Sequence, residues 1–328
     1  LSNKLLRAIP TTSYFDSLID GFGIWQHSDG VNILREEGYA LDDATRGLLF
    51  TLAFDRFEQS EILFSYILKS GVKNKFYGFA DCNRNFIPGI ASSDAIGQVI
   101  WAAGYAISKY FHSSEAKQSI IKVTPYMDKT KFMRGFAYAL LGAIHVNKEL
   151  AEHFYIKLKS YFDNVDDEWV WPDKTLTYGN GIIPYALLRY GLVYDDKTAV
   201  KLGRKVLIFL EKCCTRDRLR GPIGNDGWLS RGSDTVPIFS QQPIDAAYMV
   251  WAWLVMYQIS GDVTDKKMYK LWMSWFEGEN VLRTKMYDTT DMRCYDGIDY
   301  FGVHKNSGAE SNICLLLSKY MTATKNTI

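Results

Sequence analysis

The 328-residue chain has no apolar run approaching the roughly 18 residues of a membrane span, and its start, LSNKLLRAIPTT, has no apolar signal-peptide core. It has no surplus of either charge: 38 Lys and Arg are scattered among 37 Asp and Glu, a formal net charge of +1. That gives no field to recruit nucleic acid or an acidic membrane surface. The cysteines Cys82, Cys213, Cys214, Cys294 and Cys314 are odd in number and lack C-x-x-C spacing, so reduced thiols are expected, with neither a disulfide framework nor a zinc site. H-E-x-x-H, a Walker loop and G-x-S-x-G are also missing. The acid-rich stretch DTTDMRCYDGID lacks the ligand order of a calcium loop. No metal and no cofactor are expected. The location expected is cytoplasmic, although a chain that begins at Leu1 leaves a removed leader open.

What the sequence has in quantity is apolar helix. Hydrophobic residues make up 47% of the chain, enough for a large core, and no stretch shows the sustained period-two alternation of a sheet. Six stretches begin with a loop rich in Gly, Asp and aromatics and then enter a small-residue apolar helix: GYALDDATRGLLFTLAF, NFIPGIASSDAIGQVIWAAGYAI, PYMDKTKFMRGFAYALLGAI, DEWVWPDKTLTYGNGIIPYALL, SQQPIDAAYMVWAWLVMYQI and HKNSGAESNICLLLSKYM. More polar helices are expected between them at 58–70, 114–126, 148–163, 196–213 and 264–277, with segment 2–18 as a sixth. Helices apolar all round belong inside and half-polar ones outside. The chain therefore reads as all-α, a single (α/α)6 toroid domain over 1–328 in which segment 2–18 closes the ring as an outer helix. An open α-solenoid is the rival arrangement.

In such a toroid the six preamble loops converge on one funnel, and they carry Trp25, Tyr39, Trp169, Trp171, Trp228, Phe239, Tyr295 and Tyr300 among many Asp and Asn. Flat rings beside carboxylates and amides suit a sugar, whose C–H faces stack while its hydroxyls need acceptors and donors. Each ring taken alone is equally well explained as the cover of a helix end.

Six motifs in order, GYALDDATRGL, NDGW, QQPIDA, WFEGEN, YDGI and NSGAES, resemble those of a poorly characterised glycosidase-like toroid family. Its members often lie beside or are fused to mannosyltransferase-like glycosyltransferases. The match covers roughly residues 20–320. The resemblance implies a carbohydrate ligand and a glycosyltransferase as a candidate functional partner. Where the family pattern has Asn-Ala this chain has Ala44-Thr45, and where it has Thr this chain has Asn312. Altered specificity follows if the missing amide touched substrate.

Cleavage of a glycosidic bond needs two carboxyl groups, one protonated and one basic or nucleophilic. Asp43, Asp226, Asp296 and Glu310 are the catalytic candidates. Asp42 fits a helix N-cap with Arg46 four residues on, which leaves Asp43 to point elsewhere; acids this close raise each other's proton affinity. Glu310 closes a Ser307-to-Glu310 capping box. Asp245 follows Pro243 in a first helical turn, and Asp94 fits a helix start. Asp226 sits between Gly224 and Gly227 beside the platform of Trp228, and Asp296 repeats the aromatic-Asp-Gly pattern; a turn-stabilising role competes at both. The substrate-binding candidates are His27, Tyr39, Asp42, Arg46, Asp94, Trp171, Trp228, Gln242, Asp245, His304 and Asn306. The histidines suit sugar hydroxyls or, with Arg46 or Arg231, inorganic phosphate, although surface hydrogen bonding alone would explain them.

The sequence favours an inverting glycoside hydrolase or phosphorylase acting on a short oligosaccharide, with mannose among the sugars considered. A sugar epimerase is the enzymatic alternative, and a glycan-binding accessory module is the non-catalytic one. A terpene-type transferase would need metal-binding Asp clusters or a zinc triad, which the sequence does not display.

Overall fold

Helices that are apolar on every side are stable in an interior, and helices polar along one side belong at a surface. The computed structural model, which describes residues 3–72, 75–216 and 219–328, alternates the two kinds. After the short α1 (Asn3–Ala8) and α2 (Ser13–Leu18), the apolar series is α3 (Leu41–Ala53), α5 (Ser93–Ser108), α7 (Met133–Ala143), α9 (Ile182–Tyr194), α11 (Pro243–Ser260) and α13 (Ala309–Thr324). The amphipathic series between them is α4 (Phe57–Ser70), α6 (Ser113–Met127), α8 (Lys148–Ser160), α10 (Lys197–Cys214) and α12 (Val263–Phe276), within three residues of the expected bounds at each end. Burial follows the pattern: α11 is buried without interruption from Pro243 to Met256, whereas α10 buries one stripe, including Ala199, Gly203, Val206, Leu210 and Cys214. The hydroxyl of Ser92 caps α5, and the carboxylates of Asp196 and Asp262 cap α10 and α12, which satisfies backbone N–H groups a helix start leaves open.

Segment 2–18 is not one helix. Ser2 lies outside the described residues, and α1 and α2 are separated around Pro10, where the missing N–H and the restriction on the preceding residue interrupt a helix. The chain also contains six two-stranded antiparallel ribbons, with strands of two or three residues, among the described residues. They lie in the loops and are too short to give an alternation that can be read from sequence. None of the five cysteines is in a disulfide.

The described chain forms two compact units. The first takes in Thr12–Leu158 with Gly308–Ile313; the second takes in Lys159–Ser307 with Cys314–Thr327 and the N-terminal residues up to Thr11. In the first, α5 and α7 are in backbone contact. A Cβ at Gly97 would lie 2.3 Å from the Gly135 carbonyl oxygen, one at Gly104 2.1 Å from that of Gly142, and one at Gly142 2.1 Å from that of Ile100. The glycines repeat every seven residues on both helices, so one smooth stripe meets another. In the second unit α9 packs on α10 and α11, and α11 on α12. There Glu211 accepts from the indoles of Trp253 (3.1 Å) and Trp272 (2.6 Å) and from Arg220 Nε (2.5 Å), tying the ribbon after α10 to two helices.

Candidate active site

Five acids proposed from sequence, Asp42, Asp43, Asp94, Asp245 and Glu310, stand in the first turns of apolar helices, where the partial positive charge of a helix N-terminus favours a carboxylate. Asp94, Asp245 and Glu310 also have partners far along the chain, whereas Asp42 and Asp43 pair with Arg46 on their own helix. In the first unit, Arg46 on α3 has Asp43 Oδ1 3.2 Å from Nη1, with Asp42 Oδ2 at 3.4 Å and Glu310 Oε2 at 2.8 Å from Nη2. Arg46 and Asp43 expose 6% of their side chains, and Asp42 and Glu310 somewhat over a third. Three carboxylates around one guanidinium leave the cluster with an excess of negative charge.

Three further side chains support this cluster, of which only Thr45 stood out in the sequence. Gln98, buried in apolar α5, directs its amide nitrogen to Thr45 Oγ1 (3.1 Å) and the Asp42 carbonyl (3.2 Å). Its oxygen then lies 3.3 Å from Arg46 Nη2, the orientation in which both ends of the amide are satisfied. Thr45 Oγ1 donates to the Asp42 carbonyl at 2.8 Å, which places a fully buried hydroxyl beneath the first turn. Tyr66 Oη donates to the Tyr39 carbonyl at 3.3 Å. Burial holds its phenol well above the ordinary range, and the negative charges of Asp43 and Asp42 add to the shift. A Gln within an otherwise apolar helix was the one signal in the sequence that could have revealed part of this shell.

The local structure corrects one expectation. Asp42 is not the N-cap: α3 begins at Leu41 after Ala40, so Asp42 and Asp43 are its second and third residues and both turn to Arg46. Glu310 stands in the first turn of α13, which begins at Ala309, and its carboxylate pairs with Arg46. Asp94 does sit in the first turn of α5, where Ser92 is the cap and Asp94 pairs with Arg134 Nε at 2.7 Å.

Tyr39, expected to display its ring to a sugar, is 1% exposed. It stacks on Trp25 with centroids 4.1 Å apart and donates from Oη to Asp20 at 2.8 Å. Burial, with the Asp20 bond, pushes its phenol far up. Asp20 itself is held low: burial opposes its ionisation, but the N–H groups of Phe22 and Gly23, Tyr39 and Arg84 outweigh it. His27 is exposed beside the ribbon Ser28–Asp29/Asn32–Ile33.

The remaining candidates belong to the second unit. Asp245, 8% exposed, accepts from Gly179 N–H at 2.6 Å and so fixes the start of α9 to α11. Asp226 is exposed at the tip of a turn whose backbone bonds to the 237–240 segment, with Asp226 N–H 3.2 Å from the Phe239 carbonyl. Trp228 follows it at φ 46°, 43% exposed, with Nε1 3.2 Å from Asn225 Oδ1. Trp171 is buried against the edge of Phe162. Gln242 precedes α11 half-buried, and its neighbour Gln241 is the fully buried partner of Trp275 at 2.9 Å. Asp296 is half-buried, and its N–H bonds the Asn306 carbonyl at 2.8 Å. His304 is exposed and meets Asp299 at 3.0 Å, and Arg231 meets Asp166 at 2.6 Å.

A concavity of about 750 Å³ lies among α6, the turn after α7 and α8, lined by residues such as Ile120, Ile121, Asp128, Leu150 and His153. It contains none of the candidates. No group of His, Cys, Asp and Glu suited to a metal ion occurs among the described residues, and no helix there is long and apolar enough to cross a membrane.

No family model matches the chain, and no curated protein matches it. Solved structures do. A sugar epimerase from a ruminal bacterium superposes with a TM-score of 0.71 at 11% identity, covering 99% of both chains. A D-mannose isomerase gives 0.73 at 14% identity, over 99% of this chain and 98% of its own. A GH76 α-mannanase from Bacteroides thetaiotaomicron gives 0.63 at 10% identity, over 98% and 95%. The chain has the (α/α)6 toroid fold that the sequence pattern leads one to expect.

Proposed function

We propose that this protein is a carbohydrate-active enzyme whose acid chemistry is centred on Asp43 and Glu310, and that it acts on the glycosidic bond of a short oligosaccharide as a hydrolase or phosphorylase. The observation that carries this reading is the cluster of Asp42, Asp43 and Glu310 around one buried arginine. Arg46 fixes the carboxylates mutually: the Asp42 and Glu310 oxygens that share its Nη2 stand at most about 6 Å apart, short of the roughly 6.5–9.5 Å of an inverting pair. With three acids to one cation, uptake of a proton relieves repulsion, and a proton held there is what a leaving glycosidic oxygen requires. Asp226 and Asp296 remain acid candidates from the second unit. The names of similar structures, a mannanase among them, agree with sugar chemistry.

A second reading, a sugar epimerase or isomerase, is favoured by the higher TM-scores of the epimerase and the mannose isomerase. Acid–base chemistry of that kind commonly uses histidine, and here His27 and His304 are exposed in loops. One experiment separates the readings: glucose- and mannose-based oligosaccharides incubated in D2O with and without phosphate and followed by NMR. Free sugar marks a hydrolase, a sugar 1-phosphate a phosphorylase, and deuterium at C2 without bond cleavage an epimerase or isomerase. Binding without turnover marks an accessory module. Asp43→Asn and Glu310→Gln should each lower turnover about 10²–10⁴-fold; full activity in both would remove the cluster from the chemistry.

A further inference from the structure

The chain reaches the acid cluster through a small ribbon with two unlike faces. Trp25 pairs with Tyr39, Tyr39 with Ala80, and Ala80 with Phe86. Residues directly opposite one another share a face, so these four form one row. Trp25, Tyr39 and Ala80 are buried, and Phe86 packs on Tyr66 with centroids 5.4 Å apart. The other row contains Ala40, paired with Phe79, and Ile87, whose N–H bonds the Phe79 carbonyl at 2.9 Å. Here the large side chains are open: Phe79 is 52% exposed and Ile87 49%, with Ile90 three residues on at 52%.

This face borders the acids. Ala40 is followed by Leu41, whose N–H bonds the Gly78 carbonyl at 2.8 Å, and then by Asp42 and Asp43. The ribbon is braced by its own polar groups. Asp81 Oδ1 accepts from the N–H groups of Asn83 (2.9 Å) and Asn85 (2.8 Å), and Arg84 pairs with Asp20 at 3.2 Å. An open aromatic ring on a braced ribbon, paired through Ala40 two residues before the half-exposed Asp42, loses little freedom when it meets a ligand.

Resting on the reading of the acid cluster as a sugar site, we infer that Phe79, flanked by Ile87, is a stacking platform for the sugar unit adjoining the one held at Asp42 and Asp43, so that this face selects oligosaccharides over monosaccharides. The chemistry is that of a neutral ligand with an apolar C–H face and a hydroxyl rim: the ring takes the face, and Asp42 accepts from the rim. A protein partner fits less well, because three half-exposed side chains offer far less than the roughly 800 Å² per partner of a standard interface.

The test is calorimetric binding of glucose, mannose and their β-1,4-linked di- and trisaccharides to wild type, Phe79→Ala and Phe79→Trp. We expect Phe79→Ala to weaken the di- and trisaccharides about tenfold and leave the monosaccharides unchanged, with Phe79→Trp restoring the loss. Equal weakening across all lengths, or none, overturns the platform while the sugar site stands. If wild type binds no sugar of the panel, the parent reading falls and the platform with it. Thermal midpoints close to wild type for both variants are expected from the exposure of the ring, and they separate lost binding from lost folding.

Discussion

Asp43 and Asp226 are both aspartates in loop-to-helix or turn segments, and the structure places them in opposite physical circumstances. Asp43 is buried, cross-linked through Arg46 to a residue 267 positions along the chain, and backed by Gln98 and Thr45. Asp226 is exposed on a turn held by backbone bonds to the neighbouring segment. A carboxylate fixed by tertiary partners has a defined position and an altered charge environment, the conditions acid catalysis needs. One displayed on a turn has freedom and full hydration. A second pair sharpens the contrast. Each unit contains a carboxylate, a tyrosine and a cation in contact, Asp20–Tyr39–Arg84 in the first and Glu277–Tyr287–Lys319 in the second. Arg84 exposes 55% of its side chain, whereas Lys319 exposes 11%.

The comparison breaks first, if it is wrong, at Arg46. Arg46→Ala leaves three carboxylates without their cation and should cost about 3–5 kcal/mol, read as a lower midpoint in urea unfolding; a change under about 1 kcal/mol would make the cluster an exposed set of weak pairs. Gly104→Ala should cost about 1–3 kcal/mol or more through overpacking, because the added carbon meets the Gly142 carbonyl 2.1 Å away. It tests whether the first unit depends on backbone contact between α5 and α7.

Glu277→Gln should cost about 1–3 kcal/mol by leaving a buried ammonium without its charged partner, and Asp20→Asn should cost less because Arg84 keeps its water. Burial pushes Glu277 up, but the Lys319 bond and charge, with Tyr287, outweigh it and leave its pKa below the ordinary 4.5; Asp20 lies below 3.8 for the reasons already given. Groups with depressed folded pKa values contribute stability that is complete above the unfolded values and is lost as pH falls through the folded ones. Wild type should therefore lose stability on acidification below those ordinary values, and each variant should show a shallower acid limb in pH-dependent thermal melts. The smallest effect is expected at Asp226: Asp226→Asn should shift stability by no more than about 0.5 kcal/mol, so any loss of turnover in that variant reports on substrate rather than on folding.

The helical series was legible because amphipathicity repeats within a few turns, and the five amphipathic helices formed close to their expected bounds. The acids at the starts of α3, α5, α11 and α13 were legible for the same local reason, since first-turn carboxylates, small residues and Pro243 mark helix starts. The cap of α3 was less so: Asp42 lost the role expected of it because a cap depends on where the helix begins, and boundaries shift by a residue or two with packing. Exposure of the aromatics was not legible. Tyr39 and Trp171 were expected to display their rings and are buried, whereas Phe79 stands open, because a ring in a loop takes whichever face the ribbon register gives it.

The sequence by itself determined a helical chain, its alternation of apolar and amphipathic helices, and the placing of acids at helix starts, all of which arise from interactions within a turn or two of the chain. The tertiary structure alone decided that Glu310 joins Asp42 and Asp43 on Arg46, that α5 and α7 touch through glycines, and that Asp245 fastens Gly179. Those contacts depend on distances between residues far apart in the chain, and no local period encodes such distances.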